Sequence, residues 1–91
     1  MSHISVERKH NLGLEVAREK AQKLVDKLVG KYEMQAQWDG DTVELKRSGV
    51  TGQVEVRGDS VKVDLKLGMM LSMMSGMIEA EIEKALDKAL A

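Results

Sequence analysis

The chain of 91 residues contains no cysteine, no proline and no phenylalanine. Without cysteine, disulfide bonds, cysteine-ligated zinc or iron–sulfur sites and thiol catalysis are all excluded. An excess of one charge is also missing, since 14 basic and 15 acidic side chains leave a formal net charge of −1. Nucleic-acid-binding domains usually present a strongly basic face, because Lys and Arg neutralise phosphates. The composition therefore argues against nucleic acid as a partner.

Long apolar runs are absent as well. The longest stretch without a charged side chain, Leu67 to Ile78, has 12 residues, whereas a helix needs roughly 17–25 apolar residues to cross a bilayer. The first residues, Met-Ser-His-Ile-Ser-Val-Glu, lack the basic start and apolar core of a signal peptide. Together with the lack of cysteine, this favours the cytoplasm. The length predicts one domain that spans residues 1–91.

Alternating apolar and polar residues predict one short N-terminal strand and, after a helix, four further strands. Ile4 and Val6 are the apolar members of the first strand. Those of the later four are Tyr32, Met34, Ala36 and Trp38; Val43 and Leu45; Val50, Val54 and Val56; and Val61, Val63, Leu65 and Leu67. The turns Asp39-Gly40, Ser48-Gly49 and Gly58-Asp59 are so short that they join only antiparallel neighbours. The sequence therefore predicts an antiparallel meander with one polar, solvated face.

Two amphipathic helices are predicted on either side of the meander. The apolar residues of the first are Leu14, Ala17, Ala21, Leu24 and Leu28, and those of the second are Leu71, Met74, Ile78, Ile82, Ala85 and Ala89. Asn11 is suited to cap the first helix and Gly30 to end it. The second begins somewhere between Met69 and Gly76. A sheet with one apolar face needs both helices on that face, which predicts an α+β two-layer sandwich in the order strand, helix, four-strand meander, helix.

The segment between the last strand and the final helix holds five of the seven methionines. They are Met69, Met70, Met73, Met74 and Met77. Methionine fills irregular gaps well, so one interpretation is that they close one end of the core. However, Met70, Met73 and Met77 lie about a quarter to a third of a turn from the core-facing stripe, which a flat sheet does not easily cover. This offset predicts a second apolar surface, and the five methionines are the candidate contact site for a partner or ligand.

No residue pattern indicates catalysis or metal binding. His3 and His10 are seven residues apart, so on an extended strand they point to opposite faces, and no third ligand accompanies them. Glu79, Glu81 and Glu83 are two residues apart, and such positions do not face each other on a helix. We therefore expect no catalytic residues, no metal and no cofactor in a protein that is not an enzyme.

Several segments spread over the whole chain carry a family resemblance. They are His3-Ile-Ser-Val-Glu-Arg-Lys-His10, Ala17-Arg-Glu-Lys-Ala21, Trp38-Asp-Gly-Asp41, Val61-Lys-Val-Asp-Leu-Lys-Leu-Gly68 and Ile82-Glu-Lys-Ala-Leu-Asp-Lys88. Through them the chain resembles the polyhydroxyalkanoic acid system family, small bacterial proteins encoded near genes for making and using polyhydroxyalkanoate storage polyester. Some proteins encoded nearby coat the polymer granule. The family has no established catalytic residues, and its members tend to have other bulky apolar residues where this chain has Met69 to Met74.

Three functions are compatible with these observations. The resemblance implies a non-enzymatic accessory protein of the polyhydroxyalkanoate system whose methionine-rich segment contacts a granule or a granule-bound partner. Alternatively, the order of elements is similar to that of helix-grip domains, which would hold a small apolar ligand in a cavity of roughly 300 Å³ or more. The third alternative is a homodimer closed by the methionines, with no other ligand. The solvent exposure of these methionines is the observation that bears on all three.

Overall fold

The computed structural model describes residues 2–90, and its strands and helices follow the predicted order. The strands are β1 (Ser2–Lys9), β2 (Gln35–Asp39), β3 (Thr42–Arg47), β4 (Val50–Val56) and β5 (Ser60–Leu67). The helices are α1 (Leu14–Tyr32), the one-turn α2 (Met69–Ser72) and α3 (Ser75–Leu90). The predicted α+β class is confirmed.

The five strands form one antiparallel sheet in the order β1-β5-β4-β3-β2. Strands β2 to β5 are the predicted meander. The helix α1 connects β1 to β2, and β1 pairs with β5 at the other edge of the meander. The central row of the register runs from Val6 through Val63 and Val54 to Val43. These four side chains are at most 3% exposed, so they mark the middle of the core.

Both helices cover the apolar face of this sheet, as predicted. α1 buries Ala17, Ala21, Leu24, Val25 and Leu28, and α3 buries Ile78, Ile82 and Leu86. The opposite face carries polar residues such as Thr51 and Lys66, which are exposed. Because successive side chains of a strand point to opposite faces of the sheet, one face is buried under the helices and the other is exposed to solvent.

The ends of α1 differ from the prediction. Asn11 does not cap the helix: the capping position is Gly13, at φ 81°, and no side chain bonds to the first turn. Gly30 does not end it either, because the helix continues to Tyr32 and Glu33 takes the left-handed conformation at φ 55°. Tyr32 therefore belongs to α1 and not to β2. The reason is tertiary, since its phenol group donates a hydrogen bond to Glu81 on α3.

Three of the predicted core positions are also wrong. Leu14 is 39% exposed and Met74 is 40% exposed, and Ala36 lies exposed on the edge strand β2. In α3 the buried position after Ile82 is Leu86, whereas the predicted Ala85 and Ala89 are only half-buried. Ile78, Ile82 and Leu86 follow one another at four-residue spacing, so the buried stripe of α3 departs from the predicted one after Ile82.

The centre of the sheet depends on one glycine. Gly52 occupies a core-facing position of β4, opposite Leu65 on β5 and Leu45 on β3. A Cβ atom at this position would lie 2.5 Å from the backbone oxygen of Asp64 and 2.3 Å from a methyl carbon of Leu65. No other residue fits without moving the backbone, which explains the gap in the apolar alternation of β4.

Candidate interaction surface

Five methionines in α2, in the turn after it and in the first turn of α3 face outwards: Met69, Met70, Met73, Met74 and Met77. We call them the Met surface. The exposed fractions are 83% for Met69, 92% for Met70, 93% for Met73, 40% for Met74 and 66% for Met77. The interpretation that these side chains close the core is therefore wrong for all except part of Met74. Apolar groups this exposed are unusual in clusters on a protein surface and commonly mark a contact site.

Backbone contacts at Gly68 position the Met surface. The Gly68 N–H donates to the Gly49 carbonyl oxygen at 2.7 Å, in the turn between β3 and β4. A Cβ atom on Gly68 would lie 3.1 Å from that oxygen, so the two backbones approach closely because residue 68 has no side chain. The Gly68 carbonyl oxygen then accepts bonds from the N–H of Leu71 at 3.2 Å and of Ser72 at 3.0 Å. The single turn of α2 therefore starts directly at the end of the sheet.

Leu71 anchors this turn to the core. It is half-buried and packs against the hydrophobic core, while Met69 and Met70, beside it in the same turn, point to solvent. The Ser72 hydroxyl donates to the Gly68 carbonyl oxygen at 2.9 Å, so this hydroxyl has a hydrogen-bond partner within the same turn. Leu71 thus helps to close this end of the core, whereas Met69, Met70 and Met73 contribute little to it.

A cluster of polar contacts fixes the start of α3 beside the end of α1. Tyr32 and Lys31 both donate to the carboxylate of Glu81. Burial raises the pKa of Tyr32, and the hydrogen bond to Glu81 and its negative charge raise it further, to about 12. The hydrogen bonds from Lys31 and Tyr32 lower the pKa of Glu81 from its usual value. Tyr32 is therefore a protonated hydrogen-bond donor and Glu81 its ionised acceptor, which makes the cluster a structural link between two helices.

The space between helices and sheet is too small for the ligand that a helix-grip domain would carry. The cavity there has a volume of about 10 Å³ and is lined by core residues such as Leu28, Met34, Leu65 and Ile78. That is about the volume of one water molecule, far below the roughly 300 Å³ of small-ligand pockets. The geometry gives no support to an apolar-ligand carrier.

The two histidines lie apart and have local partners. His10 is 7% exposed: its Nδ1 accepts from the Leu12 N–H at 3.0 Å, and its Nε2 lies 3.1 Å from the Arg57 carbonyl oxygen, to which it donates. His3 is exposed, with Nε2 3.4 Å from Asp64. Within residues 2–90 no group of three or more His, Asp or Glu side chains is arranged to hold a metal ion. Over the same range, no helix combines the length and the apolarity that a membrane crossing requires.

Comparisons with known proteins agree with this fold and identify the family. The NMR structure of PA4090 from Pseudomonas aeruginosa is similar, with a TM-score of 0.61 at 7% sequence identity, covering 97% of this chain and 83% of that one. At such low identity the likeness concerns the fold alone. No curated protein gives a significant sequence match. A family model described as "Putative polyhydroxyalkanoic acid system protein" matches residues 4–90. The chain therefore belongs to the polyhydroxyalkanoic acid system protein family.

Proposed function

We propose that this protein is a non-enzymatic accessory protein of the polyhydroxyalkanoate system that binds the storage granule through the Met surface. The observation that carries the proposal is the exposure of Met69, Met70, Met73 and Met77, each at least 66% accessible. Family membership supports the polymer system as the setting. The proposal assigns no catalytic role to the Met surface, whose contact residues are all methionines.

The energetics of burial favour this use of the methionines. Burying one such side chain stabilises a complex by roughly 1.5–3 kcal/mol, so four supply about 6–12 kcal/mol. Association opposes this with an estimated 4–15 kcal/mol of lost translational and rotational freedom. One or two methionines would therefore be insufficient, whereas the whole cluster is of the right order for reversible binding.

The shape and charge of the Met surface suit an apolar polymer better than a globular protein. The Met surface consists of five side chains within residues 69–77. Each partner of a standard protein interface contributes about 20–30 residues. No charged side chain lies between Leu67 and Ile78. The segment therefore enters an apolar phase without desolvating a charge, and its flexible thioether side chains adapt to an irregular surface.

We place this function in the cytoplasm. The cysteine-free composition supports the proposal, because small domains outside the reducing compartment are commonly held by disulfides. The granule is the expected partner there.

Co-sedimentation with protein-free polyhydroxyalkanoate particles tests the proposal. We expect the protein to leave the supernatant, and the triple variant Met70→Ser, Met73→Ser, Met77→Ser to stay in it. The matched control is Leu14→Ser with Val16→Ser, which removes two exposed apolar side chains, at 39% and 38% exposure, elsewhere on the surface. This control should sediment like the wild type. Absence of wild-type depletion, or equal depletion of the triple variant, would contradict granule binding.

Sedimentation velocity without particles separates granule binding from self-association. We expect a species of about the chain mass, 10.1 kDa, at micromolar concentration. A stable dimer that the triple serine variant dissociates would instead assign the Met surface to a homodimer and count against our proposal.

A further inference from the structure

A groove between α1 and α3, away from the Met surface, is lined by lysines and has an apolar floor. Its volume is about 330 Å³. Three lysines come from α1 and one from α3: Lys20, Lys23, Lys27 and Lys88. Its apolar residues are Leu24, Ala85 and Ala89. The groove combines four positive charges with an apolar base in a protein whose formal net charge is −1.

The four lysines form no contact ion pairs. Among residues 2–90, none of them has a carboxylate oxygen within 4.0 Å, whereas Lys31 and Lys62 do. Glu81 is close enough to Lys27 for that charge to lower the pKa of Glu81, but its oxygens are already bonded to Lys31 and Tyr32. Like charges three and four residues apart on one helix face repel each other. A bound anion would relieve this repulsion.

The spacing of the lysines indicates the kind of anion. Lys20 and Lys27 are seven residues apart on α1, a rise of about 10 Å, with Lys23 between them. A row of ammonium groups over this distance matches several negative charges joined in a short chain better than it matches one carboxylate. Lysine is a common phosphate ligand because it acts as a compact point charge with three donors.

We propose that this groove binds a small molecule that carries two or three linked phosphate groups. The phosphates lie along the lysines of α1 with Lys88 opposite, and Leu24, Ala85 and Ala89 contact any organic part. A volume of about 330 Å³ is at the lower end for small-ligand sites. Nucleic acid is a less suitable ligand, because the row of lysines on α1 is only about two helical turns long. The rest of the protein has no excess of positive charge to contact further phosphates.

The test is an NMR titration of the ¹⁵N-labelled protein at low salt with tripolyphosphate, ATP and inorganic phosphate. We expect tripolyphosphate to shift signals in residues 20–27 and 85–89, and inorganic phosphate to bind at least tenfold more weakly. If ATP binds as tightly as tripolyphosphate or more tightly, the favoured ligand is an organic phosphate. If ATP binds more weakly, the favoured ligand is an inorganic polyphosphate. The double variant Lys23→Glu, Lys27→Glu should weaken tripolyphosphate binding at least tenfold.

The matched control is Lys46→Glu with Lys66→Glu, on the open face of the sheet. Both lysines are exposed and, among residues 2–90, have no carboxylate within 4.0 Å, so the change in net charge is the same. Equal weakening by both double variants would show a diffuse charge effect and overturn the proposal. So would shifts produced equally by sodium sulfate at matched ionic strength, or a DNA oligonucleotide that binds more tightly than tripolyphosphate. The triple serine variant of the Met surface should keep phosphate binding, which separates this proposal from granule binding.

Discussion

The two ends of the sandwich are closed in different ways. At the end where α1 begins and α3 finishes, polar contacts predominate: Arg8 Nε lies 2.9 Å from an oxygen of Asp87, and Arg18 Nη1 lies 2.6 Å from one of Asp41. The Arg18 guanidinium also covers the Trp38 ring, 4.5 Å from its centroid. We call this the polar end. The other end is closed by Leu71 and carries the Met surface outside it.

This difference shows that the methionines are surplus to the core. At the polar end each contact joins two elements of the fold, as Arg18 joins α1 to the turn between β2 and β3. At the methionine end Leu71, the bonds of Lys31 and Tyr32 to Glu81, and the bond from Arg47 to the Tyr32 carbonyl oxygen join elements in this way. Met69, Met70 and Met73 project beyond these contacts. Side chains that do not stabilise the monomer are free to serve an intermolecular contact.

The largest loss of stability is expected at Gly52, midway between the two ends. Gly52→Ala places a Cβ atom 2.5 Å from the Asp64 carbonyl oxygen, and overpacking of this kind costs about 3 kcal/mol of unfolding free energy. Urea unfolding followed by the fluorescence of the single tryptophan measures it. Gly58→Ala is the control, because nothing lies within 4 Å of the added atom. Equal stability of the two variants would mean that β4 and β5 do not approach this closely.

Leu71→Ala tests whether one leucine seals the methionine end. A buried leucine replaced by alanine costs roughly 2–5 kcal/mol, and because Leu71 is only half-buried we expect about 2 kcal/mol. Urea unfolding compares this variant with Met73→Ala in the next turn, which should change stability by less than about 0.5 kcal/mol. If Met73→Ala were as destabilising as Leu71→Ala, the methionines would be part of the core and the contrast between the ends would disappear.

His10→Ala makes the corresponding test at the polar end. It leaves the Leu12 N–H and the Arg57 carbonyl oxygen without their partner, and an unsatisfied buried polar group costs about 1–3 kcal/mol. Because water reaches these neighbours at the surface, we expect about 1.5 kcal/mol in urea unfolding. His3→Ala, at an exposed position on β1, is the control and should be near neutral. A neutral effect of His10→Ala would show that this end is not held by its polar contacts.

Tyr32→Phe removes the hydrogen bond to Glu81 and should cost about 1 kcal/mol at pH 7. The pKa of Tyr32 is raised from 10.0 to about 12 in the folded protein, first by burial and then by Glu81. The folded state therefore holds this proton more tightly, and the resulting stability is fully present below pH 10 and lost as the pH rises towards 12. Between pH 9 and pH 12 the unfolding free energy should fall less with rising pH in the variant than in the wild type. An equal fall in both proteins would contradict the link between the helices.

The smallest effect on stability is expected from the Met surface itself. The triple change of Met70, Met73 and Met77 to Ser should alter the unfolding free energy by less than about 1 kcal/mol, since surface substitutions are usually within about 0.5 kcal/mol each. Equilibrium unfolding in urea, with the Leu14 and Val16 double serine variant beside it, provides the comparison. A loss of several kcal/mol would mean that these side chains support the fold.

The fold follows from the sequence where local pattern and tertiary packing agree. The alternation in β3 and β5 and the short turns at Gly40 and Gly49, which have φ values of 63° and 82°, are local features, so the meander was predictable. Gly30 looked like a helix end because glycine commonly occupies that position. The contact of Tyr32 with α3 outweighed that preference, and no local pattern reveals a partner 49 residues away.

The two candidate sites differ in the same way. The Met surface lies within residues 69–77, so the offset of Met70, Met73 and Met77 from the core-facing stripe is readable from the sequence, although their exposure required the structure. The lysine groove combines Lys20, Lys23 and Lys27 with Lys88, which meet only when α1 and α3 pack side by side. A net charge of −1 conceals such a cluster because it sums the positive and negative side chains of the whole chain.

Oxidation of the methionines tests the central claim most directly. Brief treatment with hydrogen peroxide, followed by mass spectrometry, reports the accessibility of each thioether, and Met34, 5% exposed, is the internal buried control. Without particles, Met69, Met70, Met73 and Met77 should oxidise much faster than Met34. On polyhydroxyalkanoate particles these four should be protected while Met34 is unchanged. Unchanged oxidation of the four methionines in the particle-bound protein would contradict the assignment of this surface to the granule.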